Sequence, residues 1–409
     1  MKILGIETSC DDTAVALVNA SGNIGKDFTC TVLGNAILSQ TKEHAPYGGV
    51  FPNVAKREHG RNLVPVMAEV LRQAEMLDRA GPRAGEDVIE KLKVVLAREP
   101  ELFEFLGEFL RDHGKPDVDC IAVTVGPGLE PGLWVGINFA KALSLAWNVP
   151  IVAVNHMEGH VVISCVRNDE GVRGEVSGVS KSNLGTWHLK PLTFPMLSLL
   201  ISGGHTELVL SREWMHYEIL GKTRDDAVGE AYDKVARMLG LPYPGGPHVA
   251  KLAEEARATG AKSQFSFTSP MLHSKNHDFS FAGLKTEVKK AIEEHAPPSE
   301  TAKKEIALGF ENAATRVLVE KTKRAVEEYA VQTVIVGGGV SANSYIRETL
   351  KDALEEPDTD PTLLFSPPEL STDNALMIAL AGYFHAQKKE YANVLSLEAN
   401  GDLKLTEKT

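Results

Sequence analysis

The sequence predicts an α/β protein built as two duplicated lobes, and three observations carry that expectation. Apolar strand-like runs alternate with helical patterns, a hairpin pattern near the N-terminus recurs near residue 200, and a strand running into a glycine-rich turn and a helix occurs twice. Strands alternating with helices imply a largely parallel sheet with helices on its faces. At 409 residues the chain exceeds one ordinary core and fits two domains.

The first hairpin reads as Ile3 to Val18, two apolar strands around the polar turn Glu7-Thr8-Ser9-Cys10-Asp11-Asp12-Thr13. Its counterpart is Met196 to Leu210, around Ser202-Gly203-Gly204-His205-Thr206-Glu207. Asp119 to Val125 is a buried-type strand entering Gly126-Pro127-Gly128 and a helical pattern from Gly132 to Trp147. Thr333 to Val336 likewise enters Gly337-Gly338-Gly339 and a helix from Ala342 to Leu354. Short strands follow at Pro150 to Val154 and Thr362 to Phe365, so each copy reads hairpin, helix, strand, glycine loop, helix, strand.

This places an N-terminal lobe over 1–153, interrupted by an insertion at 79–114 and completed by a C-terminal helix over 374–395. The second lobe covers 154–373 and carries a Gly/Ser/Asn-rich surface loop at 167–190. From Ser396 the chain reads as a short polar tail marked by Leu397, Leu403 and Leu405. Two lobes facing each other would set both turns and both glycine loops around a cleft, where backbone N–H groups suit phosphate. The plainer alternative is that the glycines only serve tight strand-to-helix turns.

Composition narrows the class. A hydrophobic content of 43% with 24% charged residues describes a globular protein. Apolar runs long enough for a membrane span are absent, and Met1-Lys2-Ile3-Leu4-Gly5-Ile6-Glu7 turns acidic too soon for a signal peptide. The four cysteines lie far apart without a Cys-x-x-Cys pair, which points to reduced thiols and a cytoplasmic setting. The net charge of −12 excludes gripping nucleic acid by bulk electrostatics, so any RNA must use a local basic face or a partner. Lys285, Lys289 and Lys290, with Lys321, Lys323 and Arg324, are candidates for that face, although such runs also serve as solvated helix surfaces.

His156-Met157-Glu158-Gly159-His160 follows a strand. On a helix, its two histidines stand at i and i+4 and point the same way, which suits two ligands on one divalent ion. Glu158 lies about 200° round from His156 and faces away, so a zincin-type protease base is geometrically poor. Asp373, in Ser371-Thr372-Asp373-Asn374, is the candidate third ligand, and a plain helix N-cap fits it equally well.

Ten ordered motifs resemble those of the tRNA threonylcarbamoyladenosine transferases, a family formerly described as O-sialoglycoprotein endopeptidases. They are Gly5-Ile6-Glu7-Thr8-Ser9-Cys10-Asp11-Asp12-Thr13, Tyr47-Gly48-Gly49-Val50, Gly126-Pro127-Gly128-Leu129, the His-Met-Glu-Gly-His run and Ser202-Gly203-Gly204-His205-Thr206. Further on come Asp226 to Lys234, Tyr243 to Pro247, Asp278 to Thr286, Gly338 to Asn343, and Thr372-Asp373-Asn374. The resemblance runs from Met1 to about His385 outside the two interruptions.

For the fold, the resemblance implies two ribonuclease-H-like lobes of the actin/Hsp70/sugar-kinase type facing a nucleotide cleft. For activity, it implies transfer of threonylcarbamoyl from threonylcarbamoyl-AMP to the exocyclic amine of the adenosine 3′ of the anticodon. The tRNAs would be those reading codons that begin with A, and AMP would be released. By the same resemblance His156, His160 and Asp373 bind one divalent metal, iron or zinc, and Leu200, Ile201, Ser202, Gly203, Gly204, Asp233, Gly246 and Asn343 hold the adenylate.

Asp11 or Asp12 would take a proton from the attacking amine, although aspartates in a hairpin turn more often serve the turn itself. His205 after Ser202-Gly203-Gly204 is similar to the bacterial and organellar branch. That branch implies a threonylcarbamoyl-AMP synthase upstream, a shorter paralogue of the same fold and a small P-loop ATPase as partners. Asn53, Lys56 and Ser371 depart from the family's usual residues, but none is a proposed ligand or phosphate contact. The rival functions are a nucleotide-driven ATPase or kinase of this fold, a non-catalytic scaffold paralogue and a metalloprotease.

Overall fold

The computed structural model describes residues 1–407 apart from 25, 78–81, 169–184, 261–262, 296 and 356–360. Two compact units emerge. The first comprises residues 1–44, 50–191 and Asp373 onward; the second comprises 45–49 and 192–372.

In the first unit β1 (Lys2–Glu7), β2 (Asp12–Ser21) and β3 (Thr29–Ser39) form an antiparallel meander. It is followed by α1 (Thr41–His44), α2 (Pro52–Gln73), the inserted helices α3 (Glu86–Val95) and α4 (Pro100–Asp112), then β4 (Cys120–Gly126), α5 (Glu130–Trp147) and β5 (Ile151–Asn155). Next come α6 (His156–Ser164), β6 (Val166–Asn168) and β7 (Gly185–Leu189). The sheet runs β5-β4-β1-β2-β3-β7-β6, with β4 parallel to both β1 and β5.

The second unit repeats the plan with β8 (Met196–Ile201), β9 (Thr206–Glu213) and β10 (His216–Lys222). After these come α7 (Val228–Met238), α8 (Gly245–Ala258), α9 (Ala282–Glu294), α10 (Glu300–Tyr329), β11 (Thr333–Gly337), α11 (Ser344–Leu354) and β12 (Thr362–Phe365). Its sheet runs β10-β9-β8-β11-β12. Third, second, first, fourth, fifth is the strand order of both lobes: the chain is a duplicated α/β protein with ribonuclease-H-like lobes.

Each hairpin is in fact a three-stranded meander. The third strands, β3 and β10, escaped the sequence reading because Thr29–Ser39 and His216–Lys222 mix exposed polar with half-buried residues and lack a continuous apolar run.

The lobe boundary also moves, from 153/154 to between Pro191 and Leu192. The reason is that β7 pairs along β3, Thr29 opposite His188, and so adds to the first sheet, while α6 packs against α12 (Ala375–Gln387) of the same unit. Of the predicted loop at 167–190, residues 185–189 are therefore strand, and 169–184 lie outside the described residues. The insertion at 79–114 forms a helix pair whose Ile89, Leu92, Leu102 and Leu106 enter the first core; residues 79–81 at its start are not described.

The final segment is not a loose tail. The helix expected over 374–395 stops at Gln387, and the chain after it is laid back on the first unit. Ala392 pairs with Ile151, Asn400 N–H donates to Val125 O at 2.9 Å, and Leu397 and Leu403 are buried in the core.

The α12 helix is apolar on all sides because it is covered on all sides. It lies directly on β1: a Cβ at Gly5 would stand 2.4 Å from Ala375 O and 2.8 Å from Ala379 N. No helix among the described residues is long and apolar enough to cross a membrane.

Candidate functional site

The three candidate metal ligands come together on the first unit. His156 and His160 open α6 immediately after β5, and Asn155 caps the helix by accepting from Met157 N–H and Glu158 N–H at 2.9 and 3.4 Å. Gly159 between the histidines lets α12 press against α6; a Cβ there would meet Met377 Cγ at 2.9 Å.

At the start of α12 the capping role falls to Asn374, whose Oδ1 accepts from Met377 N–H at 3.0 Å. That frees Asp373, and its Oδ1 lies 3.3 Å from Nε2 of both His156 and His160. The two readings left open for Asp373 therefore separate: the neighbouring asparagine is the cap and the aspartate faces the histidines.

The donor set fits a divalent ion. One ligand atom from each of the three residues lies within 4.8 Å of the others. Among the described residues, buried His160 Nδ1 has no hydrogen-bond partner and buried Nε2 meets only Asp373 Oδ1 at 3.3 Å, outside good hydrogen-bond geometry, so a cation at Nε2 would take up a poorly satisfied lone pair. Behind His156, Nδ1 donates to Glu7 Oε2 at 3.0 Å, with Ser9 Oγ 3.1 Å away, so Nε2 is the ring nitrogen turned towards Asp373. Thr124 Oγ1 in turn donates to the same Glu7 oxygen at 2.7 Å. A carboxylate behind a ligating imidazole fixes its tautomer and raises its basicity.

A cation entering here must displace a proton from His156 Nε2, because ligation needs the neutral imidazole. Burial alone would push His156 down, but the Asp373 and Glu7 carboxylates outweigh it and raise the imidazole to about 10. Burial works against the Asp373 carboxylate too, yet the two histidines hold it well below the usual carboxylate range. His160, deprived of solvent and only partly compensated by Asp373, stays neutral more readily than a free imidazole.

Glu158 points away, as its position on the helix requires. Its Oε2 meets His385 Nε2 at 2.6 Å, and His385 Nδ1 meets Glu390 Oε2 at 2.6 Å. Burial lowers and the two carboxylates raise the His385 pKa, and the carboxylates prevail. Because the folded pKa lies above the ordinary value of 6.5, this imidazolium contributes stability fully below that pH, and the contribution is lost as pH rises through the folded value. Urea midpoints of wild type and His385→Gln followed from about pH 6 to pH 9 should converge as pH rises. A gap independent of pH would refute the charged pairing.

Asp11 and Asp12 sit at the β1–β2 turn, where His59 Nε2 donates to Cys10 O at 3.0 Å and His59 Nδ1 lies 2.8 Å from Thr13 Oγ1. Burial raises both aspartates, Asp12 to about 7 with help from the Asp11 and Asp373 charges, and Asp12 Oδ1 is buried without a partner. A carboxyl held near neutrality suits proton transfer.

The glycine loops divide sharply. At Gly126-Pro127-Gly128 the space is filled: Cβ atoms at Gly126 and Gly128 would lie 1.9 Å from Asn400 O and 2.6 Å from Ser9 O. Gly128 N–H is already spent on Gly401 O at 3.1 Å. For this loop the plain tight-turn reading holds. In the second unit, Cβ atoms at Gly203, Gly204 and Gly339 would meet nothing within 4 Å, so the backbone there adjoins open space. The Ser202 turn is closed by Ser202 N–H to His205 O at 2.9 Å and supported by Gly229 N–H to Ser202 O at 3.2 Å.

Asp233 Oδ1 accepts from Gly245 N–H at 2.7 Å, next to Gly246 at the start of α8, and Asn343 caps α11. Leu200 and Ile201 are fully buried strand residues of the second core, so their side chains serve the sheet. The expected basic face loses a member as well. Lys321 is buried and donates to Ser274 Oγ at 2.9 Å and Asn276 O at 3.0 Å, because its helix packs against that loop. Lys285 is engaged by Asp226 at 2.9 Å.

Sequence reasoning missed Glu7 and Glu311 as working residues. Glu7 ends an otherwise apolar strand, and Glu311 falls on the buried face of α10 with Ala307 and Ala314. An acid at a core position was the available signal in both cases.

A family model described as tRNA N6-adenosine threonylcarbamoyltransferase matches residues 31–78 and 104–380. The unmatched stretch between them takes in α3 and the start of α4. The tRNA N6-adenosine threonylcarbamoyltransferase of Staphylococcus aureus strain JH9 is 36% identical over 409 residues, spanning 99% of this chain and 97% of the relative. The protein of strain Newman matches to the same extent. Looser likenesses to solved structures include T. kodakarensis HypF, with TM-score 0.46 and 14% identity, covering 73% of this chain and 44% of that one. A ROK hexokinase from Thermus thermophilus has TM-score 0.40 and 14% identity, covering 95% and 100%.

Proposed function

Because the chain belongs to the tRNA N6-adenosine threonylcarbamoyltransferase family, we propose that it transfers threonylcarbamoyl from threonylcarbamoyl-AMP to the exocyclic amine of the adenosine 3′ of the anticodon. Its tRNAs would be those reading codons that begin with A. The observation that carries the reading is the His156–His160–Asp373 triad, its histidines buried and its aspartate partly exposed, with Glu7 behind His156.

The amine nitrogen forms a bond to the carbamoyl carbon, the bond from that carbon to the phosphate oxygen breaks, and AMP departs with the bonding electrons. A divalent iron or zinc held by His156, His160 and Asp373 would supply Lewis-acid polarisation of the carbonyl. Asp12, with its partnerless oxygen, would receive the amine proton, with Asp11 beside it keeping its pKa high. The open backbone at Gly203, Gly204 and Gly339 would approach phosphate, Asp233 would take ribose hydroxyls, and Asn343 the base.

A cytoplasmic setting accords with the four free cysteines. The partners we expect are tRNA, a threonylcarbamoyl-AMP synthase upstream, a shorter paralogue and a small P-loop ATPase, which would also supply basic surface to a chain of net charge −12.

The test is reconstitution with the synthase, the partners, ATP, threonine, bicarbonate and unmodified tRNA, read by nucleoside mass spectrometry. Threonylcarbamoyladenosine is expected. If synthetic threonylcarbamoyl-AMP also yields none while ATP is hydrolysed, the ATPase reading replaces this one.

A further inference from the structure

Glu311 lies in the middle of α10 with 1% exposure, and both of its oxygens are occupied. Oε1 accepts from Asn343 Nδ2 at 2.7 Å and from Tyr232 OH at 3.3 Å, while Oε2 accepts from Arg257 Nη2 at 2.7 Å. Arg257 also donates to Asn312 Oδ1 at 3.1 Å, and its guanidinium stacks 3.4 Å from the centre of the Tyr345 ring.

A carboxylate of this kind only accepts, so it admits only the NH2 end of Asn343. The other end of the amide is fixed independently, because Asn343 Oδ1 accepts from Ile346 N–H at 3.0 Å to cap α11. Both constraints select one amide orientation. What Asn343 has left to offer a ligand is one N–H and one oxygen lone pair, both in set directions. Through Tyr232 the same carboxylate holds α7 one residue before Asp233, which is bonded to Gly245 beside Gly246.

We propose that Glu311 is the positioning residue of the nucleotide site: it orients the Asn343 amide and ties α7 to α11, so that Asp233 and Asn343 hold a fixed spacing for an adenine nucleotide. The inference rests on the nucleotide reading given above and adds to it a residue that does not itself touch the ligand. Charged hydrogen-bond partners of this type are costly to remove because the groups left behind stay buried and unpaired.

The test is calorimetric titration of the full chain with AMP, with thermal melts as the folding control. Glu311→Ala should weaken AMP binding by about tenfold, the equivalent of one charged hydrogen bond. Asn343→Ala should weaken it too, and adding Glu311→Ala to that variant should cause little further loss. Glu311→Gln, which keeps an acceptor for Asn343, should retain most of the affinity although the pairing with Arg257 is gone. Should Glu311→Ala fail to melt cooperatively, Glu311→Met preserves the volume and answers the same question.

Unchanged AMP affinity in Glu311→Ala alongside a weakened Asn343→Ala overturns the inference alone, as do losses that multiply in the double variant. If Asn343→Ala and Asp233→Ala both bind AMP like wild type, the nucleotide reading fails and the inference with it.

Discussion

A His160→Ala variant is expected to lose its divalent metal and to fall in transferase activity by more than about 100-fold, since a Lewis acid supplies several kcal/mol to acyl transfer. The expectation follows from the burial of His160, whose Nδ1 has no partner among the described residues and whose Nε2 faces only the Asp373 carboxylate. An imidazole so placed has no structural work beyond filling space. Elemental analysis of the purified protein and nucleoside mass spectrometry measure the two losses separately. Glu7→Gln probes the support behind His156 and should reduce metal affinity by about 10- to 100-fold. Full metal content and full activity in His160→Ala would remove the triad from the mechanism.

The largest stability effect is expected at Gly5. Its missing side chain lets α12 rest on β1, with backbone atoms of Ala375 and Ala379 inside the space a methyl group would fill. Backbone cannot rotate aside as a flexible side chain can, so Gly5→Ala forces the helix off the sheet at a cost of about 3 kcal/mol. Asp373 and Asn374 sit at the start of that helix, so metal affinity should fall along with stability. Gly60 is the internal control. It lies inside α2 and a Cβ there meets nothing within 4 Å, so Gly60→Ala should stabilise by about 0.5–1 kcal/mol. Chemical denaturation midpoints of the two variants should move in opposite directions; movement in the same direction would contradict the packing argument.

Much of the architecture was legible in advance because it is written in local patterns. The paired strand–glycine–helix units appear as β4–α5 and β11–α11, near the predicted bounds. The third strand of each meander was not legible, since β10 is largely exposed or half-buried and β3 is interrupted by threonines, Gly34 and Asn35, which leaves no long apolar run in either. The terminal segment looked like a tail because its three leucines are widely spaced. All three are buried nonetheless, Leu397 and Leu403 in the first unit's core, a matter of docking and not of pattern.

For the site, the spacing of His156 and His160 placed both on one helix face, because i and i+4 share a face whatever surrounds it, but by itself it left a structural role equally open. The outward turn of Glu158 followed from the same geometry. Asp373 was a candidate from its place before a helix, level with a plain cap, while the resemblance to a family supplied Asp233 and Asn343 as names without showing how they act. Tertiary structure decided that Asn374 caps α12 so that Asp373 can turn to the histidines, and that Glu7 and Glu311 stand behind His156 and Asn343. It also decided that the first glycine loop is packed against the chain's own end while the loops at Gly203 and Gly339 remain open. What the sequence by itself determined about this protein is its periodicity, its duplicated plan and the residues able to do chemistry. Convergence of distant residues, and whether a glycine's empty space receives protein or ligand, depends on how separate elements pack, and no short-range pattern encodes that.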